Sequence, residues 1–441
     1  MKTVGIVSLG CAKNRVDSEV LLALLRARGY AIVPPEKAQI AFVNTCGFIE
    51  PAKEESIGTI LDLAARKGKG LEKLYVTGCL VQRYADELKE ELPEVDGFLG
   101  VNEYERVFEM MESQERPVFR GPGCRFPEAD RVLTTTPGTA YVKISDGCDN
   151  RCAYCAIPLI RGAYASRPME SILAECERLA KEGVKEVTLI AQDTSRYGTD
   201  FAPGTRLLPA LLRQVAGMGF EWVRVLYCYP DTVDDALLDT LAHTPHVVPY
   251  LDLPLQHINA RLLRAMNRRG SPEYIRALVE KCHALGITLR TTMIVGFPGE
   301  TEEEFEELLD FVDEAQFDRL GAFTFSPEEG TAAAEMDGQI DEDIKAERLD
   351  DLMMLQQSIA MEKSEARLGT QPLVLCEGAE LREVHNVGIL DCAPDKDGGY
   401  ESYIPDGKIW FTSERPIAPG EFVRVKITRA EPYDLYGEAI Q

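Results

Sequence analysis

The chain has 441 residues, 45% apolar and 27% charged, a globular composition with room for two to four domains at roughly 100–200 residues each. Its 48 Lys and Arg against 73 Asp and Glu leave a net charge of −25, which argues against strong direct binding of nucleic acid, since that mode needs cations to displace phosphate counterions. No run approaches the roughly 20 apolar residues of a membrane span, and MKTVGIVSLG lacks the long apolar stretch of an export signal. A cytoplasmic protein without membrane attachment is therefore expected. In that reducing compartment the 12 cysteines are expected to bind metal or carry redox chemistry rather than to pair.

Strand-like runs open the chain: TVGIVSL (Thr3 to Leu9), QIAFVNT (Gln39 to Thr45) and KLYVTG (Lys73 to Gly78). Helix-like segments such as DSEVLLALLRARG lie between them. This alternation predicts a parallel-sheet α/β domain over residues 1–125. GPGCRFPEAD (Gly121 to Asp130) reads as a loop and domain boundary.

Six further strands follow over residues 131–368: AYVKISD, EVTLIAQD, WVRVLYC, PYLDLPL, TLRTTMIVG and RLGAFTFS. Helical segments separate them. Six such units predict a partial (β/α)6 barrel, with its active site at the C-terminal strand ends. The polar segment DEDIKAERLDDLMMLQQSIAMEKSEARLG has helical periodicity. Residues 369–441 hold short β-like runs (PLVLCE, KIWFTS, FVRVKITRA) between DGG, PDG and APG turn signals, the pattern of a small β-barrel.

The sharpest motif is Cys148-Asp-Asn-Arg-Cys152-Ala-Tyr-Cys155, directly after the first strand of the second part. Thiolates are soft donors for iron–sulfur clusters or zinc. A 4Fe–4S cluster takes four ligands. With no fourth Cys nearby, one iron would be left open for a substrate or cofactor. The alternatives are zinc completed by a distant ligand and buried core thiols, and the polar DGCDNRC loop disfavours the latter. A second set, Cys11, Cys46 and Cys79, follows the first three strands. Equivalent strand ends of a parallel sheet lie side by side, where ligands bind. A second three-Cys cluster is expected, against the alternative of three small buried hydrophobes.

Cysteines 124, 176, 228, 282, 376 and 392 show no metal-type spacing and are expected to pack as apolar groups. His257 is expected to be structural. Arg161, Ser166 and Arg167 are either anchors for a carboxylate or phosphate or ordinary helix-start and surface residues. P-loop, HExxH, GxSxG and post-strand GxGxxG motifs are all missing from the sequence. No residue is assigned as a catalytic acid or base.

The CxxxCxxC with Tyr154 before its last Cys, carried on six strand–helix units, resembles the radical S-adenosylmethionine (SAM) enzymes. The resemblance implies that SAM chelates the open iron. It also implies that reductive cleavage gives a 5′-deoxyadenosyl radical, which takes hydrogen from an unactivated carbon. Tyr154 would lie near the adenine, and Gln192, Gly296 and Glu300 would line the cofactor site. Over nearly the whole chain the sequence is similar to methylthiotransferases within that family, with SLGCAKNRVDSE, NTCGFIEPAKEES, TGCLVQRY and CDNRCAYCAIPLIRGAYASRP as signatures. That likeness implies two 4Fe–4S clusters and a C-terminal TRAM domain.

One methylthiotransferase group modifies an adenosine beside the tRNA anticodon and typically begins with a TYGCQMN-like motif. The other modifies an aspartate of ribosomal protein S12. SLGCAKNRVDSE, FTFSPEEGTAA and YDLYGEAI resemble the second group. From Gly369 onward, seven Lys and Arg face 13 Asp and Glu, a balance that suits a basic protein surface better than phosphate. The resemblance implies hydrogen abstraction from the aspartate β-carbon of S12, free or in the small subunit. It further implies sulfur insertion, a methyl group from a second SAM, a sulfur donor, and an electron donor such as flavodoxin or ferredoxin. The alternatives are a tRNA adenosine methylthiotransferase and a non-catalytic iron–sulfur ribosome-docking protein.

Overall fold

The computed structural model describes residues 1–121, 126, 130–378, 399–404 and 407–440. Cys124, Cys392, most of the Gly121 to Asp130 loop and the first two residues of the DGG and PDG turns fall outside the described residues.

The N-terminal unit is a six-stranded parallel sheet of β1 (Thr3–Ser8), β2 (Ala31–Ile32), β3 (Ile40–Thr45), β4 (Lys73–Gly78), β5 (Gly97–Leu99) and β6 (Val118–Phe119), in the order β2-β1-β3-β4-β5-β6. Helices α1 (Ala12–Ala27), α2 (Glu50–Ala64), α3 (Cys79–Glu91) and α4 (Val107–Glu112) cover it. Every residue of β3 is buried, because both faces of a parallel sheet carry helices. Successive side chains divide between two cores. Ala41 and Val43 join Ile60, Val76 and Leu80, while Ile40 and Phe42 join Leu21, Leu25 and Tyr75.

The second unit runs through β7 (Thr139–Lys143), β8 (Ser145–Asp146), α5 (Ile157–Arg161), β9 (Ala165–Ser166), α6 (Met169–Lys181), β10 (Glu186–Ile190), α7 (Leu208–Ala216) and β11 (Trp222–Val225). It continues through α8 (Asp235–His243), β12 (Tyr250–Asp252), α9 (Ala260–Ala265), α10 (Pro272–Ala284), β13 (Thr288–Val295), α11 (Glu302–Ala315), β14 (Arg319–Thr324) and α12 (Glu342–Glu365). Parallel trios β7-β10-β11 and β12-β13-β14 are linked by a parallel bridge from Val223 to Val247. The six strands therefore form one open arc. Its helices have clear starts: Asp234 and Ser271 cap α8 and α10, and Thr301 with Glu304 forms a capping box on α11.

Five strands, β15 (Leu373–Gly378), β16 (Gly399–Ile404), β17 (Gly407–Thr412), β18 (Phe422–Ala430) and β19 (Asp434–Ala439), close the C-terminal barrel. It docks on the starts of the arc's strands. Phe422 meets Trp222 edge-on at 4.7 Å, and Arg319 donates to the Pro432 carbonyl at 3.4 Å. The acidic barrel thus attaches at the end of the arc opposite to Cys148, Cys152 and Cys155. Among the described residues no helix is long and apolar enough to cross a membrane.

Candidate metal centres at the domain seam

Strands β1, β3 and β4 are neighbours, so Cys11, Cys46 and Cys79 emerge from adjacent strand ends. The chain turns sharply into Cys11 and Cys79, at Gly10 and Gly78. Gly10 stands at φ +80°, and a Cβ on it would lie 2.9 Å from the Cys46 Cβ and 3.2 Å from its Sγ. Glycine is therefore needed before Cys11 because Cys46 packs against that spot. Ser56, buried on α2, accepts from the Cys46 N–H at 3.1 Å and donates to its carbonyl at 3.0 Å. Cys11 is exposed, Cys46 half-buried and Cys79 buried.

The second triplet forms a wrapped loop after β8. Gly147 at φ +75° has the Ala163 carbonyl where a Cβ would stand. The Cys148 N–H donates to the Gly162 carbonyl, and the Cys155 N–H to the Cys152 carbonyl. Cys152 Sγ lies 3.6 Å from the Tyr229 hydroxyl, and Arg268 donates to it at 3.9 Å. All three thiols are half-buried.

The electrostatics follow from this packing. Burial pushes the Cys148 thiol up to about 11 and Cys155 to about 12, and the neighbouring thiols add to both shifts. Burial likewise raises Cys46, and takes Cys79 to about 11. Cys11 departs in the other direction. Desolvation by the surrounding chain works against its thiolate, but Lys13 and Arg161 outweigh that and lower it. Mutual effects among Cys11, Cys46 and Cys79, and among Cys148, Cys152 and Cys155, show two sets of neighbouring sulfurs. Among the described residues no three His, Cys, Asp or Glu side chains converge tightly enough for a single metal ion. All-thiol donor triplets suit an iron–sulfur cluster, whose irons spread the ligands apart.

A buried ion network joins the two sets across the domain seam. Lys143 Nζ donates to Asp17 Oδ1 at 2.7 Å and to Asp146 Oδ2 at 2.9 Å. Arg161 donates to Asp17 Oδ2 at 2.7 Å, to Asn14 Oδ1 at 2.7 Å, and to the Cys79 sulfur at 3.6 Å. Two cations face two carboxylates, so the buried charge is balanced. A second contact across the seam is Glu328, buried after β14, with Lys53 at 3.1 Å, Arg83 at 3.4 Å and the Glu50 N–H at 2.9 Å.

The other expected cofactor residues are placed as follows. Tyr154 packs with Ile294, Phe297 and Phe325, and its hydroxyl meets Arg268 at 3.5 Å. Gln192 donates to Asp146 Oδ1 at 2.8 Å, and its own Oε1 is buried without a partner. Gly296 stands at φ +72° with its N–H on Glu300. The Glu300 carboxylate is held internally by that N–H, by His257 at 3.1 Å and by Arg348 at 3.0 Å, so its direct effect is on the shape of the Gly296 turn. His257 is fully buried between Glu300 and the Asn259 N–H, a structural position. Ser166 accepts from the Gly198 N–H, and Arg167 pairs with Glu175. Cys176, Cys228, Cys282 and Cys376 lie in apolar cores. Sequence reasoning did not single out Lys13, Asn14, Asp17, Lys143, Asp146 or Arg268. For all but Arg268 the signal was the density of polar residues within GCAKNRVDSE and KISDG, next to the cysteines.

The Radical SAM superfamily matches residues 142–312, the Uncharacterized protein family UPF0004 matches 3–100, and the TRAM domain matches 405–440. Among solved structures, the radical SAM methyltransferase TsrM of Kitasatospora setae, with cobalamin and a [4Fe-4S] cluster bound, aligns at TM-score 0.55. It covers 84% of this chain and 80% of that one at 16% identity, a likeness of fold alone. Open arc, CxxxCxxC and family match together define a radical SAM enzyme, which works with 4Fe–4S chemistry and SAM. Relatives bearing the name ribosomal protein uS12 methylthiotransferase RimO match end to end. That of Acetivibrio thermocellus is 46% identical over 100% of this chain and 98% of its own length. Those of Pelotomaculum thermopropionicum and Desulforamulus reducens are each 47% identical, over 99% and 100% of both chains. The chain belongs to the RimO family of radical SAM methylthiotransferases.

Proposed function

We propose that this enzyme places a methylthio group on the β-carbon of an aspartate in ribosomal protein uS12, in the cytoplasm. The supporting observation is that two cysteine triplets share one seam, joined through Arg161 and Asp17, in a chain whose full-length relatives carry that name. In this reading Cys148, Cys152 and Cys155 hold a 4Fe–4S cluster with one iron left for SAM. Cys11, Cys46 and Cys79 hold a second cluster that handles sulfur. Together with SAM these groups supply one-electron hydrogen abstraction, sulfur and the methyl carbon.

The chain's own residues do the rest. Tyr154 and the apolar wall of Ile294 and Phe325 offer a face for the adenine. The Gly296 turn, fixed by Glu300, shapes the cofactor floor. Gln192 directs an unpartnered oxygen into buried space, where a SAM amino group would satisfy it. A docking protein has no use for an open iron. An external electron donor and a sulfur donor complete the cycle. Cells with and without the gene, compared by mass spectrometry of ribosomal proteins and tRNA nucleosides, test this reading. The methylthio increment should vanish from a uS12 aspartate peptide. Its loss from a tRNA adenosine instead would overturn the substrate.

A further inference from the structure

Buried cations in this protein generally have carboxylate partners. Lys143 and Arg161 share Asp17 and Asp146, Arg224 has Glu186, and Arg348 has Glu300. Lys13 differs. It is 8% exposed, and its ammonium forms no ion pair or hydrogen bond among the described residues, although its charge is felt at Cys11 and at the Asp252 carboxylate. It lies over the Tyr227 ring, 3.3 Å from the centroid. A ring face offsets only part of the desolvation of a cation.

The location is informative. Lys13 is two residues past Cys11, in the first turn of α1. Tyr227 belongs to the strand-end segment after β11, and two residues on, Tyr229 touches the Cys152 sulfur at 3.6 Å. One short segment therefore contacts Lys13 beside the first triplet and a cysteine of the second. Tyr227 is also held at φ +63°, a conformation rare for a bulky residue and costly without a fixed environment. Asp252 accepts its N–H at 3.0 Å, and the Thr194 N–H donates to its carbonyl at 2.9 Å. The backbone that carries the ring under the ammonium is thus held on both sides.

We propose that Lys13 is the specificity residue that receives the side-chain carboxylate of the aspartate to be modified. This rests on the function proposed above and names the group that selects its substrate. The carboxylate carbon is bonded to the β-carbon, so a cation gripping the carboxylate at the seam holds the reacting carbon between the triplets. Ion pairing on a buried ammonium rejects a neutral amide of the same shape, because the amide leaves the cation unpaired. The rival partner for Lys13 is the Cys11 sulfur, which would act whatever the substrate.

The test is a binding cycle on the reconstituted holoenzyme. Affinity for labelled uS12 and for uS12 with its target Asp changed to Asn is measured by fluorescence anisotropy, with wild type, K13M, K13Q and K13R. Wild type should prefer the aspartate form about ten- to a hundredfold. K13M and K13Q should bind both forms alike, and K13R should keep a preference. The melting temperatures of K13M and K13Q should equal or exceed that of wild type, since they remove an unpaired buried charge. A preference of the same size in K13M or K13Q as in wild type would overturn the role of Lys13 alone. Failure of wild type to bind either form would overturn the proposed substrate, and Lys13 with it.

Discussion

Arg161 Nη2 stands 3.6 Å from Cys79 Sγ, although the two residues are 82 positions apart and belong to different domains. The same guanidinium reaches Asp17 of the N-terminal unit and Asp146 of the barrel. One side chain thus ties a cysteine of the first triplet to Asp146, two residues before Cys148 of the second.

Removing that side chain leaves two buried carboxylates facing Lys143 alone. R161M should cost about 3–5 kcal/mol of seam stability. Thermal unfolding followed by calorimetry should then separate the N-terminal unit from the barrel. R161K should recover part of the loss, because it keeps the charge without the fork. A single unchanged transition in R161M would contradict the bridging role.

The network should also resist acid. Burial disfavours the Asp146 carboxylate, but Lys143 and Arg161 outweigh it and hold the carboxyl far below the usual range. A depressed folded value contributes stability above the unfolded value and loses it only as the pH falls through the folded one. The protection of the α1 amides, after correction for the pH dependence of intrinsic exchange, should stay flat from neutrality down to about pH 4. Increased exchange near pH 6 would contradict this assignment.

Thiol reactivity should follow the electrostatics. In cluster-free protein at about pH 8, iodoacetamide should modify Cys11 first, because its thiol is lowered and exposed. Cys79 and Cys155, raised to about 11 and about 12, should react last. Mass-mapped alkylation rates decide the order.

Glu328 ties the seam at a different place. E328A strands Arg83, buried beside it, and weakens the hold on Lys53. It should cost about 3 kcal/mol or more, with faster hydrogen exchange over Glu50–Ala64 as the signature. Unchanged exchange there would show that the barrel does not clamp α2 through this carboxylate.

The two triplets should be separable. C148A should abolish both 5′-deoxyadenosine release and product. C46A or C79A should keep SAM cleavage and lose methylthiolation, with about half the iron retained. Chromatography of the nucleoside alongside iron analysis distinguishes the two patterns.

The strand ends bearing the cysteines were legible in the sequence, since each follows a buried apolar run whose period and length are diagnostic. The six strands of the arc were legible for the same reason. The two-residue strands β2, β6, β8 and β9 were not, because two residues carry no period. The seam was hidden for another reason. Asp17 meets Lys143 across 126 positions and Arg161 across 144, and a lone chain gives no sign of which charges meet. Arg161 and Arg167 read alike in sequence, yet one bridges domains and the other pairs with Glu175 eight residues on. The partners of Glu300, expected to line the cofactor site, were not legible either: its carboxylate meets His257 and Arg348.

The most direct measurement is a reaction of the reconstituted enzyme with SAM, a reductant, a sulfur source and purified uS12, followed by peptide mass spectrometry. The account predicts a methylthio increment on one aspartate of uS12 and none on tRNA offered in the same mixture. Methylthiolated adenosine with unmodified uS12 would contradict it.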